Sequence, residues 1–322
     1  MSRSVLTLAL LSGALALACV LGVSWGSSGL MNPFDVREDW QQAVLLDVRL
    51  PRVLVGLLVG AALAASGATL QSLFKSPLAD PGILGISSGA GLAAVLCIAS
   101  GMAATSPRAI PSAAFAGALI AALLLLRFAQ RARERTVSLL VVGAALSSFL
   151  GALTSLVLAA SMASYLVSQQ IVYWLLGGLE ARTWEHATGA FVPTLLGIGL
   201  FVFRAPELDA LQLGESEAAV LGVDVPRTQR ELVLMNAILV GVSVAIAGSI
   251  GFVGLLTPHV MRRVVGAHHR VLVPASALAG AILVVVCDVL ARSLFTSFEL
   301  PVGVLTALLG APFLFAIAWS KR

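Results

Sequence analysis

Long runs of apolar residues, separated by short polar segments, extend along the whole chain. A run of about 20 such residues forms a helix long enough to cross the ~30 Å hydrocarbon core of a bilayer. Strong predicted spans lie at about 5–25, 53–74, 110–129, 138–162, 232–250, 271–291 and 302–319. Weaker spans lie near 83–101 and 187–203, and a shorter apolar piece lies at 252–261. Together these segments predict about ten transmembrane helices, and an even number of crossings places both termini on the same side of the membrane.

The overall composition agrees with this pattern. The chain of 322 residues is 59% hydrophobic and only 11% charged, whereas soluble domains carry roughly 25% charged residues. Most of its surface therefore faces lipid or other membrane helices rather than water. The fold class that we predict is an all-α polytopic membrane protein, in which residues 1–322 form a single transmembrane domain.

The positive residues indicate which side of the membrane each loop occupies. With the N-terminus inside, fourteen of the 20 lysine and arginine residues fall on the inner side, as the positive-inside rule requires. Both termini are then cytoplasmic, and the sequence RLPR at 49–52 lies on the outer side. The polar segment 204–231 lies on the inner side. Its leucines and acidic residues at helical spacing predict one or two short helices on the membrane surface.

Small residues are frequent within the spans, as in GAALAASGA at 60–68 and GISSGAGLAA at 85–94. Such residues let helix backbones approach each other closely in lipid. Close helix packing is the first interpretation, and the lining of a pathway for a bulky solute is the alternative.

Motifs for nucleotide binding, hydrolysis or metal coordination are not found in the sequence. There is no GxxxxGK[ST] loop to hold a nucleotide phosphate, and no HExxH or GxSxG motif occurs. The three cysteines lie inside apolar runs, so no disulfide framework, metal or cofactor is expected on this chain. His268 and His269, at the inner end of a span, are expected to be solvated loop residues. The arginines are scattered between spans, which argues against nucleic acid as a partner.

One acidic residue lies inside a predicted span, where an ionisable group suggests a function by default. This residue is Asp288, near the outer end of its span, and Arg292 follows one helical turn later. Opposite charges at this spacing meet on a helix surface. A local ion pair is therefore the preferred interpretation of Asp288, which weakens the case for a proton- or ion-coupled transporter.

Several motifs carry a resemblance to a known family. RLPR is followed by LVGAALAASGATLQSLFKSPLADPGILGISSGAG, and later come WLLGGL, LQLGESEAAVLGVDV, GSIGFVGLLTPHVMRRVVGAHHRVLVP, DVLARSL and ELPVGVLTALLGAPFLF. This set, at consistent spacing over almost the whole chain, resembles the FecCD permease family. The members of that family are membrane subunits of ATP-binding-cassette (ABC) importers for ferric siderophores, haem and cobalamin.

The resemblance implies partners and site residues. It implies a dimer with a second permease copy or a paralogue in the bacterial inner membrane, two cytoplasmic ATPase subunits that use the ATP, and a periplasmic substrate-binding protein. Coupling to the ATPase is implied for Gly214, Glu215, Ala218, Leu221 and Gly222. The cytoplasmic gate is implied for Ser76, Pro77, Leu78, Arg135, Thr136 and Ser138. Docking of the binding protein, through its glutamates, is implied for Arg49, Arg52 and Arg292.

Two positions depart from the family pattern at the gate. Ser76 occupies a place where the family usually has asparagine, and the loop at 132–138 is more basic than usual. The function expected from the sequence is import of a metal chelate, with a ferric siderophore or haem first and cobalamin next. An ion-coupled secondary transporter of a small solute is the alternative.

Overall fold

A computed structural model describes residues 3–26, 29–33, 38–129, 135–294 and 299–320. Helices dominate these residues. The fourteen α-helices described are α1 (Arg3–Ser24), α2 (Asp39–Ala43), α3 (Leu50–Leu73), α4 (Ile86–Ala99), α5 (Ala109–Ala129), α6 (Arg135–Ser161), α7 (Tyr165–Leu176), α8 (Trp184–Phe203), α9 (Ala205–Leu213), α10 (Glu215–Val220), α11 (Val225–Ala247), α12 (Val253–Val265), α13 (His269–Ser293) and α14 (Val302–Ser320). Two strands of two residues each, β1 (Trp25–Gly26) and β2 (Gly29–Leu30), pair antiparallel.

The membrane spans agree with the sequence prediction. In the described residues, seven helices are long and apolar enough to cross a membrane, and two shorter apolar helices occupy Ile86–Ala99 and Val302–Phe315. With α12, which forms where the short apolar piece was expected, the helices near the predicted crossings number ten. The largest difference is at the second crossing, because α3 is preceded without a break by α2 and by a π-helix at Val44–Arg49.

Helix α3 lies at the centre of the molecule. Nearly all of its residues are buried, and it contacts α8, α11, α12 and α13. Close backbone approach explains the small residues of 60–68. A Cβ atom on Gly60 would lie 2.3 Å from the carbonyl oxygen of Gly280, and one on Gly67 would lie 1.8 Å from that of Gly254. The interpretation of these glycines as close-packing residues is confirmed, because no larger side chain fits between the helices.

The polar segment on the predicted inner side forms two short helices, as expected. Helix α9 leads directly out of α8, and α10 follows after the single residue Gly214. The φ angle of Gly214 is 150°, a conformation that residues with a Cβ atom rarely adopt. The chain then turns into α11, whose first residues complete the predicted segment.

Candidate functional site

The predicted coupling residues divide between two surfaces of α9 and α10. Gly214 and Ala218 are buried against the rest of the chain, whereas Leu221 is 63% exposed and Gly222 is exposed in a left-handed conformation. A Cβ atom on Gly214 would lie 1.7 Å from Oε2 of Glu217. The Glu217 side chain is exposed and can move aside, but the φ angle of 150° makes any substitution of Gly214 strain the backbone of this chain. Sequence reasoning had treated all these positions as one contact surface, and their division was not visible in the motif.

Glu215 connects α10 to the beginning of α6. Its Oε1 atom accepts a hydrogen bond from the backbone N–H of Thr136 at 3.3 Å and another from the Thr136 hydroxyl. It also accepts one from Nε2 of Gln229 at 3.0 Å. The first N–H groups of a helix have no partner within the helix and favour negative charge. The carboxylate of Glu215 thus caps α6 from another part of the chain, and it joins a predicted coupling residue to a predicted gate residue.

The other predicted gate element is the turn that follows α3. The N–H of Ser76 donates to the carbonyl of Gln71 at 3.0 Å, and the Ser76 hydroxyl accepts from the N–H of Leu78 at 3.3 Å. The side chain of Leu78 is half-exposed. Lys75 has a φ angle of 49°, and its Nζ atom lies 3.1 Å from where a Cβ atom of Gly214 would be. The ammonium group of Lys75, in this gate turn of residues 74–78, therefore lies near Gly214, which separates α9 from α10.

The remaining gate positions are only partly described. Pro77 and Ser138 are half-buried. Arg135 begins α6, but its side chain and residues 130–134, which hold most of the basic loop that departs from the family pattern, lie outside the described residues. The gate and coupling roles of all these positions stay predictions.

The prediction for His269 was wrong. This residue is not solvated but fully buried at the first position of α13, because a carboxylate from α9 and a hydroxyl from α3 close over its ring. Its Nδ1 atom lies 2.5 Å from Oδ1 of Asp209, and its Nε2 atom lies 2.5 Å from Oγ of Ser72. Burial alone would raise the pKa of the Asp209 carboxyl, but the hydrogen bonds from His269 hold it below its usual value. The neighbouring His268 is exposed, as expected.

At the opposite end of α3, two arginines share one buried carboxylate. Asp288 is 1% exposed, and it pairs with Arg292 at 3.0 Å on its own helix and with Arg52 at 2.9 Å. The predicted ion pair of Asp288 with Arg292 is confirmed. Arg52 makes a second pair with Glu299 at 2.8 Å, and the side chain of Glu299 remains 27% exposed. Removing charges from water is costly, and the shared carboxylate offsets this cost for both guanidinium groups.

Arg49 holds a different set of partners. Its guanidinium donates to the carbonyl oxygens of Val23, Ser24 and Gly29 at 2.7–3.0 Å. Only 2% of the residue is exposed. This contact could not be predicted from the sequence, because the acceptors are backbone groups at the end of α1 and in β2. The guanidinium groups predicted to receive glutamates of the binding protein are thus engaged within this chain, and docking through them stays a prediction.

An acid in the loop between α7 and α8 belongs to the same charged region. Burial raises the pKa of the Glu180 carboxyl, and repulsion from Glu299 raises it further. Attraction to Arg52 and Arg182 opposes this shift. Glu180 was not among the residues identified from the sequence, and its position directly after the WLLGGL motif carried no signal for it.

Comparison with known proteins gives a consistent result. The model of the FecCD transport family matches residues 5–320. A vitamin B12 import system permease protein of Vibrio cholerae is 41% identical over 303 residues, which cover 94% of this chain and 90% of that protein. A cobalamin import system permease protein of Halobacterium salinarum is 42% identical over 281 residues, covering 87% of this chain and 74% of that protein.

Solved structures agree with the family match. A metal-chelate type ABC transporter in an inward-facing conformation superposes with a TM-score of 0.89 at 35% identity, over 98% of this chain and 99% of that chain. The structure of PsaBC from Streptococcus pneumoniae in complex with Fab superposes with a TM-score of 0.61 at 17% identity, over 85% of this chain and 92% of that chain. The second likeness concerns the fold alone.

Proposed function

Since the chain belongs to the FecCD transport family, and is therefore a multi-pass permease of the ABC importer type, we propose that it carries cobalamin into the cytoplasm. The support for this substrate is that the relatives described above are named for vitamin B12 or cobalamin import. This reverses the order expected from the sequence, in which a ferric siderophore or haem came first. The proposed mechanism contains no covalent chemistry on this chain.

The observation that carries the mechanism is the hydrogen-bonded contact between Glu215 and Thr136. We propose that an ATPase subunit docks on the exposed part of α10 and the turn after it. Val220 and Leu221 are each more than 60% exposed there, as is Leu213 at the end of α9, although the segment is polar and faces water in the predicted orientation. Exposed apolar side chains grouped on a water-facing surface are typical of protein contacts.

Movement of the docked segment would then reach both gate elements. Glu215 ties it to the first turn of α6, and the side chain of Lys75 in the gate turn lies near Gly214. In this proposal two ATPase subunits act on two permease copies, and a substrate-binding protein delivers cobalamin at the opposite face, near Arg52 and Glu299. Both termini lie in the cytoplasm.

Reconstitution into proteoliposomes tests the proposal. The permease, its ATPase and its binding protein are assembled, and uptake of radiolabelled cyanocobalamin is measured with ATP inside the vesicles. We expect uptake only when all three proteins and ATP are present. Uptake driven by a proton or sodium gradient without ATP would favour a secondary transporter instead. Uptake of a ferric siderophore or haem, but not of cyanocobalamin, would overturn the substrate.

The docking surface has its own test. Leu221→Glu places a charge on a side chain that is 63% exposed, so we expect the permease to fold and to lose its ATPase during co-purification. Arg230→Glu is the control, since Arg230 is an exposed polar residue of the same predicted cytoplasmic segment. Unchanged co-purification of the Leu221→Glu variant would argue against docking at α10.

A further inference from the structure

Four helices meet at one buried hydrogen-bonded cluster near the cytoplasmic end of α3. Its members are contributed by α3, α9, α12 and α13: Ser72, Asp209, Gln212, Arg262 and His269. Ser72 and His269 are 1% and 0% exposed. The cluster is separate from the contact of Glu215 with Thr136, and none of the motifs discussed above assigns a role to it.

The Asp209 carboxylate gives the cluster one consistent set of donors and acceptors, in which the Ser72 hydroxyl donates to His269 and not to the more distant carbonyl oxygen of Ala68 at 3.2 Å. An ionised carboxylate only accepts hydrogen bonds, so the Nδ1 atom of His269, 2.5 Å from Asp209, carries a proton. In a neutral ring the Nε2 atom is then an acceptor, and the Ser72 hydroxyl donates to it at 2.5 Å. The Ser72 oxygen in turn accepts from Nε2 of Gln212 at 3.0 Å and from Nη2 of Arg262 at 3.3 Å. The imidazole ring thus bridges α9 and α3 directly.

The order of aspartate, histidine and serine is also that of a hydrolytic triad, but the surroundings do not fit that chemistry. A nucleophile must reach a substrate carbonyl. The Ser72 oxygen is enclosed within the helix bundle and accepts hydrogen bonds from two cationic or amide donors. Ser72 therefore holds neighbouring helices together and does not act as a nucleophile.

The location of Ser72 gives the cluster its significance. The gate turn, residues 74–78, begins two positions after it. On the other side, Asp209 and Gln212 belong to α9, which continues through Gly214 into the proposed docking surface. Because buried polar networks in a low-dielectric interior hold a defined geometry, a displacement of α9 is passed to the end of α3 through the ring.

We propose that His269 is a positioning residue that transmits movement of α9 to the C-terminal turn of α3 and so to the gate turn. This inference rests on the proposed function, in which an ATPase displaces α9 and α10. It assigns one connection to each gate element: Glu215 acts on the beginning of α6, and His269 acts on the end of α3.

The test uses two reporters in the assembled permease–ATPase complex in lipid nanodiscs. Ser76→Cys reports on the gate turn and Ser138→Cys reports on the first turn of α6, with Cys19 replaced by alanine. The rate of labelling by a water-soluble maleimide is compared without nucleotide and with ATP plus vanadate. In the otherwise unchanged chain, we expect both rates to depend on nucleotide.

Ser72→Ala removes the hydroxyl at little steric cost and keeps a good helix former. His269→Asn keeps an N–H near Asp209 but has no atom that reaches Ser72. In both variants we expect the nucleotide-dependent change at Ser76→Cys to fall about fivefold or more, the range of typical coupling between sites. The change at Ser138→Cys should be retained. Ser66→Ala is the matched control, because Ser66 is equally buried on the same helix but bonds Asn236.

Each outcome is decisive. Unaltered nucleotide dependence at Ser76→Cys in the Ser72→Ala complex would overturn the inference. Equal loss at both reporters would make the cluster a general structural clamp, and it would also overturn the inference. If neither reporter depends on nucleotide in the unchanged chain, the proposed coupling itself fails, which is a different pattern. Asp209→Asn keeps an oxygen that accepts from Nδ1 of His269, so this variant should behave as the unchanged chain does.

Discussion

Replacing Glu215 by alanine should release α10 from the rest of the permease. The substitution removes three hydrogen bonds that all end on Oε1, two from Thr136 and one from Gln229. Hydrogen bonds to a charged group contribute about 1.5–3 kcal/mol each in favourable cases. Because the three share one half-buried oxygen, they are not additive, and we expect a total loss of about 2–3 kcal/mol.

Hydrogen–deuterium exchange of the purified permease measures this loss directly. A local opening free energy that falls by about 2–3 kcal/mol speeds the exchange of the amides of residues 215–222 about 30- to 150-fold. The assay needs neither the ATPase nor the substrate. Amides at the centre of α3 provide an internal reference, since their exchange requires opening of the helix bundle.

Two variants distinguish the contact of Glu215 with Thr136 from a general effect of negative charge at the start of α10. Glu217→Ala removes an acid from the same first turn of α10, where the side chain is exposed, so it reports the loss of favourable charge at a helix N-terminus, about 0.3–1 kcal/mol. Glu215→Gln keeps the accepting Oε1 atom and should lose only part of the protection. If Glu215→Ala exchanged no faster than Glu217→Ala, the contact with Thr136 would not hold α10 in place.

Three further predictions concern the stability of the fold, measured by unfolding in mixed micelles with sodium dodecyl sulfate. Asp288→Asn leaves buried guanidinium groups without their shared carboxylate and should lower the free energy of unfolding by about 3–5 kcal/mol. Adding Arg292→Leu should recover part of this loss. No recovery would contradict the shared-charge explanation. Gly67→Ala should destabilise the fold by about 1–3 kcal/mol or more, because the helices must separate. Gly151→Ala should be close to neutral, because no atom lies within 4 Å of the added Cβ. Equal effects of the two substitutions would refute the packing argument. The pKa of Glu180 is raised in the folded state, so its ionised form opposes folding above that pKa. Glu180→Gln should therefore stabilise the fold at neutral pH and lose this advantage below about pH 4, where the carboxyl is protonated in both states. A gain in stability that does not change with pH would refute the assignment.

The spans were predictable because lipid imposes one strong requirement, a long apolar helix, that can be read from each segment separately. The contact of Asp288 with Arg292 was predictable for a similar reason, since both residues lie on one helix. His269 illustrates the limit. Its partners Asp209 and Ser72 are 60 and 197 positions away, and nothing in the local sequence distinguishes a histidine at a solvated helix end from one that other helices cover.

The arginines show a second limit. A guanidinium group in a chain poor in charge indicates a specific partner, but it does not say whether that partner is another protein or the same chain. For Arg52 the partner is a carboxylate on α13, and for Arg49 the partners are backbone carbonyls. Carbonyl groups at helix ends exist in every sequence, so their use by a particular side chain depends on tertiary packing alone.

The π-helix at Val44–Arg49 makes the outer end of α3 a place where the length of the chain can change during evolution. A π turn contains one residue more than an α turn, and such turns commonly arise at functional positions. Arg49, the last residue of this turn, and Arg52, in α3, contact different neighbours. Loss of a single residue within this turn would be absorbed by a return to α geometry, leaving the orientation of α2 nearly unchanged. Chain length can therefore vary here without disturbing the glycine contacts deeper in the membrane, and the outward-facing surface can diversify while the bundle stays fixed.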